Sequence, residues 1–172
     1  MLDAFIDEVL RLIAPVVTIM VTTRCDTQVL GNHLPADTQV FLNLTGPSLN
    51  MPSVAVDEET RSQTSRTHKP PAKKENWDGD EPTEFKPGRW LVKAEGGKVR
   101  YDAAAGPFLG FSAGNRGCWG KRLAYLEMRI LLALVVWELE LEDASEEYVS
   151  WETYDSLVTA PKECILRIKD TG

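Results

Sequence analysis

Apolar positions recur at helical spacing over the first stretch of the chain. In "LDAFIDEVLRLI", residues 2–13, Leu2, Phe5, Ile6, Val9 and Leu12 or Ile13 mark one face of a helix. Pro15 ends it, because proline lacks the N–H that the next turn needs. "VVTIMVTT" is β-branched and predicts a strand. "TQVLGNHLPADTQVFLNL" predicts a hairpin, with Gly31 and Asn32 taking positive φ in its turn. From about Thr45 to Pro82 aliphatic positions thin out. "SQTSRTHKPPAKKENWDGDEP" offers too little apolar surface to order itself as a core, and predicts a long meander tethered by Trp77. "EFKPGRWLV" marks a return to compact structure, and residues 92–107, with Gly96 and Gly97, predict a second loop.

Beyond Cys118 the pattern changes again. Leu123, Leu126, Ile130 and Leu134 run down one helical face, and Ala124, Met128, Leu131 and Val135 fill the others as far as Trp137. A helix apolar almost all round is normally buried on every side. "ELELE", "YVSWET" and "ECILRI" predict short strands, with turns near Asp143–Glu147 and at Pro161. There is no internal repeat. The strong core elements lie at the two ends, and each reads as one layer of something thicker. The expectation is an α+β chain forming part of a larger fold, because the all-round apolar helix needs neighbours that these residues hardly supply.

Composition narrows the function classes. The chain has 172 residues, about one ordinary domain by length. Its net charge of −7 argues against a nucleic-acid binder, which carries a basic footprint. Cys25, Cys118 and Cys164 are widely separated, so neither a zinc knuckle nor a disulfide framework is indicated, and a reducing compartment is expected. The longest apolar run, "ILLALVVW", falls far short of the ~20 residues that span a bilayer. No membrane segment or signal peptide is expected, and by itself this chain would be cytoplasmic.

Candidate chemistry centres on "GPFLGFSAGNRGCWGKRLAYLEMR", residues 106–129. A thiolate is the metal-binding form of cysteine, and the start of a helix stabilises it through unpaired N–H groups and the positive end of the dipole. Cys118 lies where a helix beginning near Gly120 would do this. Gly114 permits a tight turn, and Gly117 and Gly120 let the backbone approach a large flat ligand. Arg116 offers a donor fork for a carboxylate, and Phe111 could screen the sulfur from water. A buried cysteine in a glycine-rich loop is the plain alternative.

The combined spacing F-x-x-G-x-R-x-C-x-G, here Phe111, Gly114, Arg116, Cys118 and Gly120, with Ala124 and Glu127 following, resembles the haem-thiolate loop of the cytochrome P450 family. Glu8 and Arg11 form an E-x-x-R pair. "EFKPGRWL" resembles the family's F-x-P-x-R-W segment, which implies a buried triad of Glu8, Arg11 and Arg89 that fixes the fold around the loop. The segment "DTQVLGNHLPADTQVFLNLTGPS" resembles the family's sheet, particularly in fungal members. "YDSLVTAP" loosely matches its substrate-touching C-terminal turn.

The resemblance implies a C-terminal portion of a mostly α fold. Residues 1–44 would hold the E-x-x-R helix and sheet, 45–105 the meander and F-x-P-x-R-W segment, 106–137 the ligand loop with its buried helix, and 138–172 terminal strands including a hairpin. It implies haem b held through Cys118 as the metal ligand. It also implies an organic small-molecule substrate receiving one atom of O₂, and electrons from NADPH through a cytochrome P450 reductase-like donor. Intact eukaryotic members are usually anchored in the endoplasmic reticulum.

Gly88 replaces the family's usual glutamate, and Arg24 lies slightly late for a propionate contact. The family's distal helix, with its acid-threonine pair, has no counterpart here, so no catalytic residue is assigned. A non-catalytic remnant that folds partly or binds haem weakly is the alternative, and a fragment complementing a separate distal half is a third reading. His33 and His68 read as solvated surface residues, and Cys25 and Cys164 as packing residues. Lys121, Arg122 and Arg129 read either as a face for an acidic redox partner or as an exposed helix edge.

Overall fold

The structure, a computed structural model, describes residues 1–47, 49–52, 57–67, 81–145, 150, 152–155 and 158–169. Helix α1 spans Leu2–Leu12 and closes with the Ile13 N–H on the Val9 carbonyl, two residues before Pro15. Strand β1 (Thr18–Thr22) follows, then a hairpin of β2 (Thr27–Val29) and β3 (Asn32–Leu34), then β4 (Gln39–Asn43). β1 pairs antiparallel with β4, from Thr18 opposite Asn43 to Thr22 opposite Gln39. The inner hairpin turns on Leu30 and Gly31, both at positive φ, and Asn32 already belongs to β3. The turn therefore lies one residue earlier than expected. Val29 pairs with Asn32, which leaves a two-residue loop of the kind that matches strand twist. His33 consequently lies in a strand rather than in the turn, exposed and 3.6 Å from Asp26.

The described parts of the polar stretch include a 3-10 turn over Glu58–Thr60 and a short helix α2 (Gln63–Thr67); His68 and Trp77 lie outside the described residues. A 3-10 turn over Pro87–Trp90 leads into β5 (Leu91–Lys93), which pairs with β6 (Val99–Tyr101). The region expected as a plain loop is thus a β-hairpin. Gly96 and Gly97, at φ 78° and 75°, supply the left-handed turn that other residues adopt only with strain. Helix α3 runs Lys121–Glu138. After it, β7 (Leu141–Glu142) pairs with β10 (Arg167–Ile168), and β8 (Thr153–Asp155) with β9 (Thr159–Pro161). Pro161 pairs with Thr153 as the last residue of β9, a strand end where proline is tolerated, and does not form the expected turn. The turn expected near Asp143–Glu147 and the strand expected from "YVSWET" fall partly outside the described residues.

The chain divides into two compact units, with the break between Gly110 and Phe111. In the first unit Ala4, Trp90 and Ala105 are buried together, with Leu91, Val92, Tyr101 and Phe108 packed against them. Ala4 presents no bulk beyond Cβ, so the indole of Trp90 reaches the helix surface and is fully buried. The Phe108 ring meets it edge-on at 6.0 Å. The buried face of α1 is not the expected apolar stripe: Ile6 and Leu10 are buried, but so are Asp7, Glu8 and Arg11, while Leu2, Phe5 and Ile13 stand exposed.

The second unit differs from expectation in the opposite sense. α3 was expected to be buried all round, yet Tyr125 is its only buried residue. Leu131 is 61% and Trp137 85% exposed, and Leu123, Leu126, Ile130 and Leu134 are each at least half exposed. The apolar residues occupy every face, and the described residues cover one position.

Candidate functional site

The first unit centres on the Glu8 carboxylate, which is fully buried. Its Oε1 accepts hydrogen bonds from Arg11 Nη2 at 2.8 Å, Arg89 Nε at 3.0 Å and the Lys86 backbone N–H at 2.8 Å. Its Oε2 accepts from Arg11 Nε at 2.9 Å and Trp90 Nε1 at 2.9 Å. Glu8 and Arg11, three apart on α1, meet as parallel N–H···O bonds in the geometry that makes Arg–carboxylate pairs strong. The guanidinium groups use their remaining donors on backbone carbonyls. Arg11 donates to Leu49 at 2.7 Å, Pro82 at 2.6 Å and Glu84 at 3.2 Å, and Arg89 to Glu81 at 3.3 Å and Glu84 at 3.0 Å. Burial by itself would raise the Glu8 pKa. The hydrogen bonds from Arg11, Lys86 and Trp90, with the Arg11 charge, outweigh it and hold the carboxyl below its ordinary value.

This cluster joins Glu8, Arg11 and Arg89, the triad that the family resemblance implied, and the same buried face carries two further groups that it did not, Trp90 and Asp7. Trp90 follows Arg89 in the chain and turns its indole N–H onto the same carboxylate. Asp7 precedes Glu8 and accepts a hydrogen bond from the Tyr101 hydroxyl on β6. A signal was present: charges at positions 7, 8 and 11, next to a small Ala4, mark a helix face that buries polar groups and takes a partner at close range. Donors and acceptors here are satisfied among themselves and with the backbone, so the cluster is suited to holding chain segments together rather than to moving protons.

The second unit carries the cysteine loop. Phe111 and Cys118 form its base, the Cys118 N–H donating to the Phe111 carbonyl at 2.9 Å. Between them Ser112 (φ 57°) and Gly114 (φ 60°) turn the chain back through left-handed conformations, and Gly114–Arg116 forms one 3-10 turn. Gly110, just before the loop, has no room for a side chain: a Cβ there would lie 2.8 Å from the Phe108 ring. Cys118 is exposed, and so is Arg116, which makes no side-chain hydrogen bond or ion pair among the described residues.

α3 begins at Lys121, with Gly120 as its N-cap. The Lys121 N–H turns toward the Cys118 carbonyl at 3.4 Å, and the Ala124 N–H is taken by the Gly120 carbonyl. No described residue donates a hydrogen bond to Cys118 Sγ, contrary to the expectation of N–H groups aimed at the sulfur. The helix starts where expected, beside Gly120, but its first turn lies three residues beyond Cys118, and the Lys121 N–H turns to the Cys118 carbonyl rather than to the sulfur. The Phe111 ring lies 5.3 Å from that of Tyr125.

These residues fit a flat, thiolate-bound group. A single soft donor stands open to solvent, and Gly120 lies beside it, its Cβ position within ordinary contact distance of Sγ at 3.8 Å. Among the described residues no cluster of His, Cys, Asp or Glu offers a multi-ligand metal site. Phe111, Gly114, Arg116, Cys118 and Gly120 thus share one loop. Arg24, Cys25 and Cys164 are exposed, so the two cysteines are not the packing residues expected. Lys121, Arg122 and Arg129 are exposed at the start and middle of α3. No described helix is long and apolar enough to cross a membrane.

Comparison with known proteins converges on one family. The profile described as Cytochrome P450 matches residues 1–51 and 73–168. The chain is 36% identical over 183 residues to the Hps1-dma1 cluster cytochrome P450 monooxygenase cyp3.1 of Dothistroma septosporum, covering 99% of this chain and 57% of that protein. It is 31% identical over 179 residues to cytochrome P450 monooxygenase TRI13 of Fusarium sporotrichioides, covering 97% of this chain and 30% of that one. The crystal structure of a cytochrome P450 (CYP102L1) superposes with a TM-score of 0.64 at 23% identity, over 98% of this chain and 31% of its own length, and so shares the fold. The chain therefore spans between about a third and a little over half of these curated relatives. With the cysteine loop, the buried Glu8 cluster and the family profile agreeing along nearly all of its length, the chain belongs to the cytochrome P450 family.

Proposed function

We propose that this chain supplies the proximal, haem-ligating part of a monooxygenase that inserts one atom of O₂ into an organic substrate, with electrons arriving from NADPH through a reductase. The observation that carries the reading is the exposed Cys118 at the mouth of a glycine loop closed by its own backbone N–H on Phe111. Haem bound through a cysteine thiolate receives electron density that favours O–O cleavage.

The chain's own residues would act as a holder. Cys118 offers its sulfur as the axial donor. Gly114, at a left-handed φ of 60°, keeps the loop tight, and Gly120 caps α3 beside the sulfur. Arg116, with its donor fork free among the described residues, would pair with a haem carboxylate. Phe111, packed on Tyr125, would keep water from the sulfur's side. The Glu8 cluster ties α1 to the 81–90 segment and thereby steadies the chain that leads to the loop.

A specific observation favours a second reading for the 172 residues taken alone, that of haem binding without sustained turnover. The exposed apolar faces of α3 would draw the isolated chain into aggregation or onto a partner. The purified chain is to be supplied with haem, a reductase and NADPH, and NADPH use, peroxide and oxygenated products followed over a panel of organic substrates. The expected result for the chain alone is NADPH use with peroxide. Many turnovers of product coupled to NADPH would establish it as a working enzyme and exclude the second reading.

A further inference from the structure

Tyr125 is the one buried residue of α3, although the neighbouring Leu123 and Leu126 are more apolar and stand half exposed. Its ring is held by an aromatic and two cations. The Phe111 ring lies 5.3 Å away at 37°. Lys121 Nζ sits 5.8 Å from the centroids of both rings, and Arg129 Cζ 5.5 Å from that of Tyr125. Lys121, Tyr125 and Arg129 are spaced by four, so they stack along one stripe of the helix. Cations over an aromatic face are drawn to its quadrupole, and an offset aromatic pair adds to the burial of both rings.

Phe111 connects this column to the cysteine. Its side chain packs on Tyr125, while its carbonyl accepts the Cys118 N–H at 2.9 Å. Ser112, next in the chain, holds a left-handed φ of 57° that a non-glycine residue keeps only when its surroundings over-determine it. We propose that Tyr125 is a positioning residue for the cysteine loop: clamped between Lys121 and Arg129, it anchors the Phe111 ring and so fixes the backbone that presents Cys118. The inference rests on the assignment of Cys118 as haem ligand for its functional meaning, but not for its geometry.

Amide hydrogen exchange of the full chain without haem tests the geometry directly, because Cys118 N–H is itself the reporter. Tyr125→Leu is expected to speed exchange at Cys118 by roughly three- to tenfold, the range an aromatic pair supports. Amides in the second half of α3 should keep their rates, and Tyr125→Phe should restore protection. In a Phe111→Leu background, Tyr125→Leu should change Cys118 exchange little. An unchanged Cys118 rate in Tyr125→Leu, an equal rise along all of α3, or the same rise in the Phe111→Leu background would each overturn the proposal. Carbon monoxide spectra of the reduced, haem-loaded chain separate the two ideas. A thiolate-type Soret band alongside a Cys118 amide insensitive to Tyr125 keeps the haem assignment and overturns the anchor. A sensitive amide with no such band keeps the anchor and overturns the haem assignment.

Discussion

Removing the Glu8 carboxylate takes a counter-ion from two buried arginines, Arg11 and Arg89, 3% and 2% exposed. Five donors lose their acceptor at once. Arg11 and Arg89 would retain carbonyl partners at Leu49, Pro82, Glu81 and Glu84, which offsets part of the loss. Breaking a buried ion pair from one side costs about 3–5 kcal/mol, and Glu8→Ala is expected in that range. Arg89→Ala alone should cost less, because Arg11 still holds Glu8 through two bonds. In the Glu8→Ala background, Arg89→Ala removes a charge that has already lost the Glu8 carboxylate, and its cost should shrink by roughly 1–3 kcal/mol. Urea unfolding followed by circular dichroism measures all four corners of the cycle. If the two changes add to within about 0.5 kcal/mol, the carboxylate and Arg89 do not share a site and the reasoning fails.

Three further outcomes are expected. Glu8 has a folded pKa below its ordinary 4.5, so the unfolded chain binds more protons between the two values. The stability it contributes is complete above the unfolded value and is lost as pH falls through the folded one, so urea midpoints should drop more steeply in the wild type than in Glu8→Gln below about pH 4.5; equal slopes would remove Glu8 as the cause. Tyr101→Phe takes a hydroxyl donor from the buried Asp7 and should cost about 1–3 kcal/mol, read from the same unfolding curves; no loss would show that the pair adds nothing. Gly114→Ala forces a side chain into a φ of 60° and should destabilise the loop by about 1–2 kcal/mol, seen as faster amide exchange over residues 111–118; unaltered exchange would contradict the strain.

What the sequence revealed and what it hid have physical causes. The helix 2–13, the pairing of Glu8 with Arg11 and the start of α3 near Gly120 followed from spacing and breakers, which act locally. The buried face of α1 did not. Apolar periodicity pointed to Phe5 and Ile13, whereas tertiary partners from 81–94 residues away, Arg89, Trp90 and Tyr101, put Asp7 and Glu8 inside. The β5–β6 hairpin was read as a loop because its strands are only three residues long and its charged Lys93 and Arg100 weaken the alternation. α3 carries the sequence of a buried helix, but burial depends on what surrounds it, and the described residues enclose only Tyr125. The role of that tyrosine lay in a spacing of four shared with Lys121 and Arg129, a pattern indistinguishable in the sequence from an ordinary helix surface.

Whether Cys118 ligates haem is read most directly by titrating the chain with haem, reducing it and recording the carbon monoxide spectrum beside that of Cys118→Ala. A thiolate-type Soret band is expected in the wild type and its loss in the variant, with far-ultraviolet circular dichroism unchanged. The same band in both proteins, or in neither, would contradict Cys118 as the ligand.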